Sequence, residues 1–251
     1  MITIGSIQRA LKWAGRGAAF AAGAYGAYVG YTWLCYGRHP KQARPSDTLL
    51  DAFIPDYDVV DRHHSRIQAP ADVTFRAACD VSLGESPVVR ALFKGRELVV
   101  GRAPRKAEVP GGLVDQMKAS GWGVLAEIPG REIVFGAVTQ PWKADVIFRS
   151  VPPETFQGFD EPGFVKIAWT LRADPIGDSA TMMRTETRAT TTDAAARAMF
   201  RWYWSFFSPG IGIIRRVLLA HVREDAERHR AAAVGGSTAP AEEPKEPAAI
   251  S

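Results

Sequence analysis

The feature that most constrains the fold is a change of hydrophobic period at Gly121. Short helical patterns precede this residue, whereas apolar and polar side chains alternate in several segments after it. The segment 165–172 (VKIAWTLR) places its apolar side chains on one face, and 181–188 (TMMRTETR) sets threonine and methionine against arginine and glutamate. A period of two is typical of strands with one face packed and one solvated. The sequence therefore predicts an antiparallel sheet that another element covers.

The covering element is predicted at residues 200–207 (FRWYWSFF), where six aromatic rings occupy eight positions. Asp193 follows three threonines and is a good N-cap for a long final helix. The proline in SPG, residues 208–210, should bend that helix. We expect the aromatic face to lie against the sheet, with Arg215 and Arg216 on the solvated side.

Shorter elements precede and accompany the sheet. The segment 57–67 is predicted to be a strand, followed by a helix that begins near Pro70. The patterns of 86–98 and 111–121 favour two further short helices. The segment 121–140 favours a hairpin that turns at Pro129 and Gly130, and a short strand is expected at 144–151.

The N-terminal region contains an uncharged run of 21 residues, 17–37, which is long enough as a helix to cross a bilayer. Aromatic residues crowd its C-terminal end and three cations lie on each side, as at a membrane interface. This pattern predicts a single-pass membrane anchor through residues 17–37, with the domain on the cytoplasmic side. A cleaved signal peptide and a buried Ala/Gly-rich helix are the alternatives.

Composition divides the chain into four parts. These are the anchor helix (1–37), a proline-containing linker with an apolar turn (38–56), the folded domain (57–230) and an Ala/Pro/Glu-rich tail expected to be disordered (231–251). Small residues recur every fourth position along the anchor, which favours homo- or hetero-association through one helix face. This face consists of Ala18, Ala22, Gly26 and Gly30.

Several chemistries have no support in the sequence. Residues 1–44 hold six cations and no acid, so a net charge of +4 leaves −2 for the rest, which argues against a nucleic-acid partner. The chain has no GxSxG, GxxxxGKS, HExxH or CxxC motif. We therefore predict no catalytic constellation, no metal and no cofactor.

Two pairs of titratable residues are weak candidates for catalysis. His63 and His64 are adjacent on a predicted strand, so one should face the interior and could act as a general base. Either is more simply a structural or surface histidine. Glu127 and Glu132 lie opposite to the apolar face, and cross-strand pairing with arginine at 184 or 188 is the expected role.

The sequence resembles the START-like superfamily, which includes polyketide cyclases, Bet v 1 proteins and lipid-transfer proteins. The resemblance lies in HHSRIQAPADVTF, in GWGVLAEIPGREIVFG, and in the passage from FDEPGF to FRWYW that joins the last hairpin to the final helix. Bacterial members share a phrase matched here by Glu186, Thr187, Arg188, Thr192, Asp193, Ala196, Arg197, Phe200, Tyr203 and Trp204. The resemblance implies an α+β helix-grip fold, a curved antiparallel sheet wrapped around the long C-terminal helix.

Members of this superfamily usually hold an apolar cavity between sheet and helix. By alternation, the strand residues lining it would be Ile133, Phe135, Val165, Ile167, Trp169, Met183 and Thr185, and the helix residues Trp202, Tyr203 and Phe206. The predicted function is membrane-tethered binding, and transfer, of a lipid, sterol or polyketide-like molecule. A cyclase or aromatase with histidine or glutamate as acid–base is one alternative, and an interaction protein with a filled core is another.

Overall fold

The computed structural model describes residues 4–38, 48–84, 86–101 and 111–236. Its helices are α1 (Ile4–Cys35), α2 (Thr48–Phe53), α3 (Ala71–Asp80), α4 (Pro87–Val100), α5 (Leu113–Ala119), α6 (Pro153–Phe156) and α7 (Ala194–Gly236). Its strands are β1 (Val59–Ile67), β2 (Gly123–Ile128), β3 (Glu132–Thr139), β4 (Val165–Ile176) and β5 (Ala180–Thr191).

The strands form one antiparallel sheet in the order β1-β5-β4-β3-β2. The β2–β3 and β4–β5 hairpins turn at Gly130 and Gly177, which adopt the positive φ angles that glycine tolerates. This sheet and the long C-terminal helix α7 fit the helix grip, so the predicted α+β architecture is confirmed.

Helix α7 begins where the sequence predicted. The Asp193 carboxylate accepts a hydrogen bond from the backbone N–H of Ala196 at 2.8 Å, as an N-cap should. Pro209 lies inside the helix. The aromatic segment does not bury all of its rings, since Phe200 is fully buried whereas Trp202 is 53% exposed.

The sheet face that packs against α7, called here the inner face, carries two apolar clusters. The α3 cluster lies under the second half of α7 and includes Phe75, Phe135, Trp169, Met183, Leu218 and Val222. The α1 cluster lies near the start of α7 and contains Tyr36, Val59, Val165, Ala189 and Phe200. Helix α7 thus buries apolar surface at both ends of its path over the sheet.

The outer face is not the wet surface that alternation predicts, because residues of α2 and α6 pack on it. Leu50, Ile54 and Phe156 form a third apolar cluster there with residues of β2, β3 and β4. Arg188 on this face is 3% exposed, and its guanidinium contacts the carboxylates of Asp51 at 2.5 Å and Glu186 at 2.8 Å.

Glu132 is buried, and its contacts differ from the predicted pairing with Arg184 or Arg188. Its carboxylate accepts a hydrogen bond from Thr170 at 3.2 Å and lies 3.8 Å from the guanidinium of Arg172, which is opposite it on β4. Glu127 is exposed on β2. Both partners of Glu132 are explained by the register of β3 against β4.

The predicted membrane anchor is wrong. None of the helices in the described ranges combines the length and the apolar character that a crossing requires. Residues 17–37 are long enough to cross a bilayer, but their five glycines and four tyrosines lower the mean hydropathy of the run. The predictions of a membrane partner and of membrane localisation fail with it.

Helix α1 packs along α7 instead. The Tyr28 hydroxyl lies 3.2 Å from Ser208 Oγ, and Thr32 Oγ1 lies 3.4 Å from the Ser205 carbonyl. Arg201 donates to the carbonyl of Trp33 at 2.8 Å and lies 3.6 Å over its ring. Most of the described side chains of α1 are exposed, so it is not the buried Ala/Gly-rich helix named as an alternative. The face formed by Ala18, Ala22, Gly26 and Gly30 is exposed, and association through it stays a prediction.

Some boundaries differ from the predicted ones. The segment 144–151 forms no strand, and only Arg149 makes an isolated bridge, to Val138. The apolar turn of the linker is helix α2. Helix α7 continues through 231–236, and the rest of the predicted tail, 237–251, lies outside the described residues together with 39–47 of the linker.

Candidate functional site

Polar side chains cross the middle of the inner face, between the two apolar clusters. In the register of the sheet, Asp61 is opposite Thr187, Thr187 is opposite Trp169, and His63 is opposite Thr185. All five alternate in step with the apolar residues of their strands, so they share the inner face. We call these five residues and Arg215 of α7 the polar belt.

Arg215 is the charged centre of the belt. Its guanidinium carbon lies 4.1 Å from the centroid of the Trp169 ring, and Nη2 donates to Thr187 Oγ1 at 3.2 Å. Burial lowers the pKa of Arg215 to about 10, while the Asp61 carboxylate acts in the opposite direction. Arg215 is therefore still a cation at neutral pH. The expectation that it faces solvent is wrong, whereas Arg216 is exposed as expected.

Three buried polar atoms of the belt have no hydrogen-bond partner among the described residues. They are Trp169 Nε1, Thr185 Oγ1 and Arg215 Nε. Trp169 is 1% exposed and Thr185 is 2% exposed. An unpaired buried polar group costs about 1–3 kcal/mol. Their concentration in one belt therefore marks a place where the fold leaves polar groups for something else to satisfy.

His63 is the histidine that faces the interior, and His64 is exposed. The His63 Nε2 atom lies 2.9 Å and 3.0 Å from the two carboxylate oxygens of Asp61. A Cβ placed on Gly212 of α7 would lie 3.8 Å from this imidazole, so the helix passes directly over it. An imidazole oriented by a carboxylate is a group that can accept or donate a proton.

The ten predicted lining residues divide among three environments. Thr185 lies in the polar belt; Ile133, Phe135, Trp169 and Met183 belong to the α3 cluster; and Val165, Ile167 and Tyr203 belong to the α1 cluster. Trp202 and Phe206 contact each other with ring centroids 4.4 Å apart, and Trp202 is largely exposed. The role of these residues in binding stays a prediction.

Arg215, Asp61 and Thr187 were not predicted from the sequence as members of a site. Asp61 alternates in step with Val59 and His63, so the period of β1 already indicated that its side chain faces inward. The orientation of Arg215 did not follow from the sequence, because the proline of the SPG segment interrupts the helical phase.

A groove of about 510 Å³ lies elsewhere, between α3, the β4–β5 turn and the end of α7. None of the ten predicted residues lines it. Two of its charged side chains have partners: Arg230 donates to the Gln68 carbonyl at 2.7 Å, and His229 lies 3.5 Å from the Asp225 carboxylate. None of the buried unpartnered polar atoms of the described residues lines this groove.

Metal and thiol chemistry have no geometric support in the described part of the chain. No group of histidine, cysteine, aspartate or glutamate side chains there could hold a metal ion. Cys35 and Cys79 are both free, and burial raises the pKa of the Cys79 thiol to about 11. Cys79 is thus a protonated packing residue at neutral pH.

No protein-family model matches the chain, and no curated protein matches it. Solved structures do match. A conserved protein from Geobacillus kaustophilus is 11% identical, with 70% of this chain and 97% of that chain covered and a TM-score of 0.31. Norcoclaurine synthase from Thalictrum flavum, solved with dopamine and hydroxybenzaldehyde, is 14% identical, with 76% and 98% covered and a TM-score of 0.32.

An aromatase/cyclase from Streptomyces sp. R1128 is 14% identical, with 70% of this chain and 97% of that chain covered and a TM-score of 0.26. At these identities and scores the likeness concerns the fold and says nothing about the ligand or activity of this chain.

Proposed function

We propose that this domain binds a hydrophobic small molecule between the inner face of the sheet and α7. The predicted strand residues would form its apolar walls, and the polar belt would hold its polar group. The observation that carries the proposal is the set of three buried, unpartnered polar atoms on Trp169, Thr185 and Arg215. The apolar clusters on either side of the belt suit an amphipathic molecule.

The energetics of the belt support a ligand. Buried polar groups in folded proteins almost always have partners, and those that lack one need an explanation. A bound molecule that supplies these hydrogen bonds would recover most of the cost of leaving them unmade. Its apolar part would add hydrophobic free energy in proportion to the area removed from water.

The test is to purify the full chain gently and to analyse organic extracts by mass spectrometry. Stoichiometric recovery of one class of apolar molecule is expected. The matched variant is Thr185→Val, which keeps the side-chain shape and removes one unpartnered hydroxyl, and it should lower the recovery. Arg216→Met on the exposed side of α7 should leave recovery unchanged.

The alternative of an interaction protein with a filled core predicts a different result. Extracts would then contain no stoichiometric ligand, and neither substitution would change what is recovered. Added hydrophobic probes would also fail to bind the folded chain.

A second candidate is acid–base catalysis on a molecule held in the same place, as in a cyclase. The observation that favours it is the contact between His63 Nε2 and Asp61 at 2.9 Å beside the belt. This candidate predicts that His63→Ala abolishes turnover of a polyketide-like aromatic precursor. His64→Ala is the control, because His64 is exposed on the neighbouring position of β1. Equal activity of both variants would exclude it.

A further inference from the structure

We propose that the molecule bound at the polar belt carries an oxyanion, such as a carboxylate, which pairs with the Arg215 guanidinium. The indole N–H of Trp169 and the Thr185 hydroxyl would donate to the same group. This inference rests on the proposed function, because it names the chemical class of that ligand.

The positive charge of Arg215 has no direct ion-pair partner among the described residues. Within the described residues, no carboxylate lies within 4.0 Å of its guanidinium to form an ion pair. The carboxylate nearest in the sheet register, Asp61, has both oxygens within 3.0 Å of His63 Nε2. A buried cation without an ion-pair partner is unfavourable, and proteins normally pair such charges.

Arg188, on the opposite face of the same sheet, provides an internal comparison. It is more deeply buried than the half-buried Arg215, and two carboxylates contact it, those of Asp51 and Glu186. The same chain therefore pairs Arg188 directly with its own carboxylates. Among the described residues, Arg215 has one threonine hydroxyl, one ring and the more distant charge of Asp61. A direct ion-pair partner for Arg215 would be an anion.

The unpartnered polar atoms of the belt can all donate a hydrogen bond, which restricts the group that can satisfy them. The indole nitrogen of Trp169 and the Nε atom of Arg215 can only donate, and the hydroxyl of Thr185 can donate. A ligand group that satisfies all three must accept several hydrogen bonds. A carboxylate accepts about four, whereas an ammonium group accepts none and a hydroxyl could not neutralise the cation.

The side chain of Arg215 is held in place without a ligand. Its guanidinium lies over the Trp169 ring, and its Nη2 atom is hydrogen-bonded to Thr187. Little side-chain entropy is then lost when an anion binds at the unpartnered Nε side. Preorganisation of this kind favours selectivity for one head-group chemistry.

The experiment compares two fluorescent probes on the full chain. One is 8-anilinonaphthalene-1-sulfonate, an oxyanion, and the other is N-phenyl-1-naphthylamine, which has the same ring framework without the sulfonate. We expect the anionic probe to bind about tenfold or more tightly than the neutral one, as charge-assisted hydrogen bonds imply. Dodecanoate should displace the anionic probe, and dodecanol should not.

The variants assign the preference to the belt. Arg215→Met should abolish the preference for the anionic probe, and the matched control Arg216→Met, next to it on the exposed side of α7, should keep it. Circular dichroism and thermal melting check that each variant folds. Trp169→Phe provides an independent test if Arg215→Met does not fold, because it removes one N–H donor and should weaken the anionic probe alone.

Equal affinities for both probes, or loss of the preference in Arg216→Met but not in the belt variants, would overturn the oxyanion inference and leave hydrophobic binding intact. If neither probe binds and neither dodecanoate nor dodecanol protects the chain against thermal unfolding, the proposed function itself fails.

Discussion

Thr185 and Thr187 are two residues apart on β5 and face the same side, yet their hydroxyls are in different situations. The hydroxyl of Thr187 accepts a hydrogen bond from Arg215, whereas that of Thr185 has no partner among the described residues. Thr185→Val should therefore raise the free energy of unfolding by about 1 kcal/mol or leave it unchanged, because it removes an unmet polar group. The measurement is urea denaturation of the ligand-free chain.

The matched change, Thr187→Val, should lower the free energy of unfolding by about 1–2 kcal/mol, because it removes the hydrogen bond that Arg215 makes. The two variants remove the same atoms at positions two residues apart on one face of β5. If both destabilise the chain equally, the hydroxyl of Thr185 has a partner after all and the belt is less available than proposed.

The carboxylate of Asp193, the N-cap of α7, contributes a pH-dependent part of the stability. The backbone N–H groups of Ala196 and Gly163 hold the pKa of this carboxyl below its usual value. Its contribution to stability is thus complete above the pKa of about 3.9 that it has in the unfolded chain. That contribution is lost as the pH falls through the lower folded pKa.

Asp193→Ala should accordingly lower the melting temperature at pH 7 by a few degrees, through loss of the N-cap of α7. The difference from the wild-type chain should shrink as the pH falls below about 4. Asp193→Asn is the control, since its side chain still caps the helix but does not titrate. A difference that is constant from pH 7 to pH 3 would contradict the assignment.

At the scale of elements, α1 and α7 meet where the proline interrupts α7. Pro209 has no N–H to donate to the Ser205 carbonyl, and the Thr32 hydroxyl lies 3.4 Å from that carbonyl. The Tyr25 hydroxyl donates to the next carbonyl, that of Phe206. Side chains of α1 therefore contact carbonyls of α7 beside the proline, although the Thr32 hydroxyl lies nearer, at 3.0 Å and 3.1 Å, to the Tyr28 and Val29 carbonyls of its own helix.

The double change Tyr25→Phe and Thr32→Val should loosen α1, because Tyr25→Phe removes a hydrogen bond to α7 worth about 1 kcal/mol and Thr32→Val removes a second hydroxyl from the same contact. Hydrogen exchange measured by mass spectrometry should become faster in α1, with α3 and the sheet unaffected. Tyr31→Phe is the control, since the Tyr31 side chain is exposed. Faster exchange across the whole domain would show that α1 is part of the cooperative core.

The elements also show what sequence can and cannot predict. Period, turn residues and caps are local, and they predicted the two hairpins, the start of α3 after Pro70 and the start of α7 after Asp193. The position of α1 depends on what it packs against, and an Ala/Gly-rich run is compatible with lipid or with another helix. The side-chain contacts between α1 and α7 identify its partner.

The candidate site was predictable in part for the same reason. Strand alternation placed Trp169, Met183 and Thr185 on the covered face, as the structure does. Whether such residues fill a core or line a cavity depends on volumes that no local pattern encodes. Arg215 was missed because a single residue step, about 100° around the helix, separates it from the solvated Arg216, and the bend at Pro209 makes the helical phase beyond it hard to predict.

At the scale of the whole molecule, a ligand must reach a belt that α7 covers and that apolar clusters flank on both sides. Helix α4 lies near this region and buries little apolar surface. Val89 is its buried residue, while Val88, Phe93, Leu98 and Val99 are exposed. Its attachments include the Arg96 hydrogen bonds to the carbonyls of Pro141 and Lys143, at 3.1 Å and 2.9 Å, a contact of Arg96 with Tyr203, and the approach of Leu92 to Gly210 of α7.

Segments with few buried apolar contacts open at a lower free energy than the global unfolding of a domain. We therefore expect the amides of α4 to exchange faster than those of α3, which buries Phe75, Ala77 and Ala78 in the α3 cluster. Saturation with 8-anilinonaphthalene-1-sulfonate should slow exchange in α4, because a bound molecule favours the closed form.

Arg96→Met removes both carbonyl contacts of α4. It should therefore accelerate both the hydrogen exchange of α4 and the association of the probe. If the probe instead associates at an unchanged rate while α4 exchanges faster, entry occurs past another element, and the opening of α7 at Pro209 becomes the step to examine.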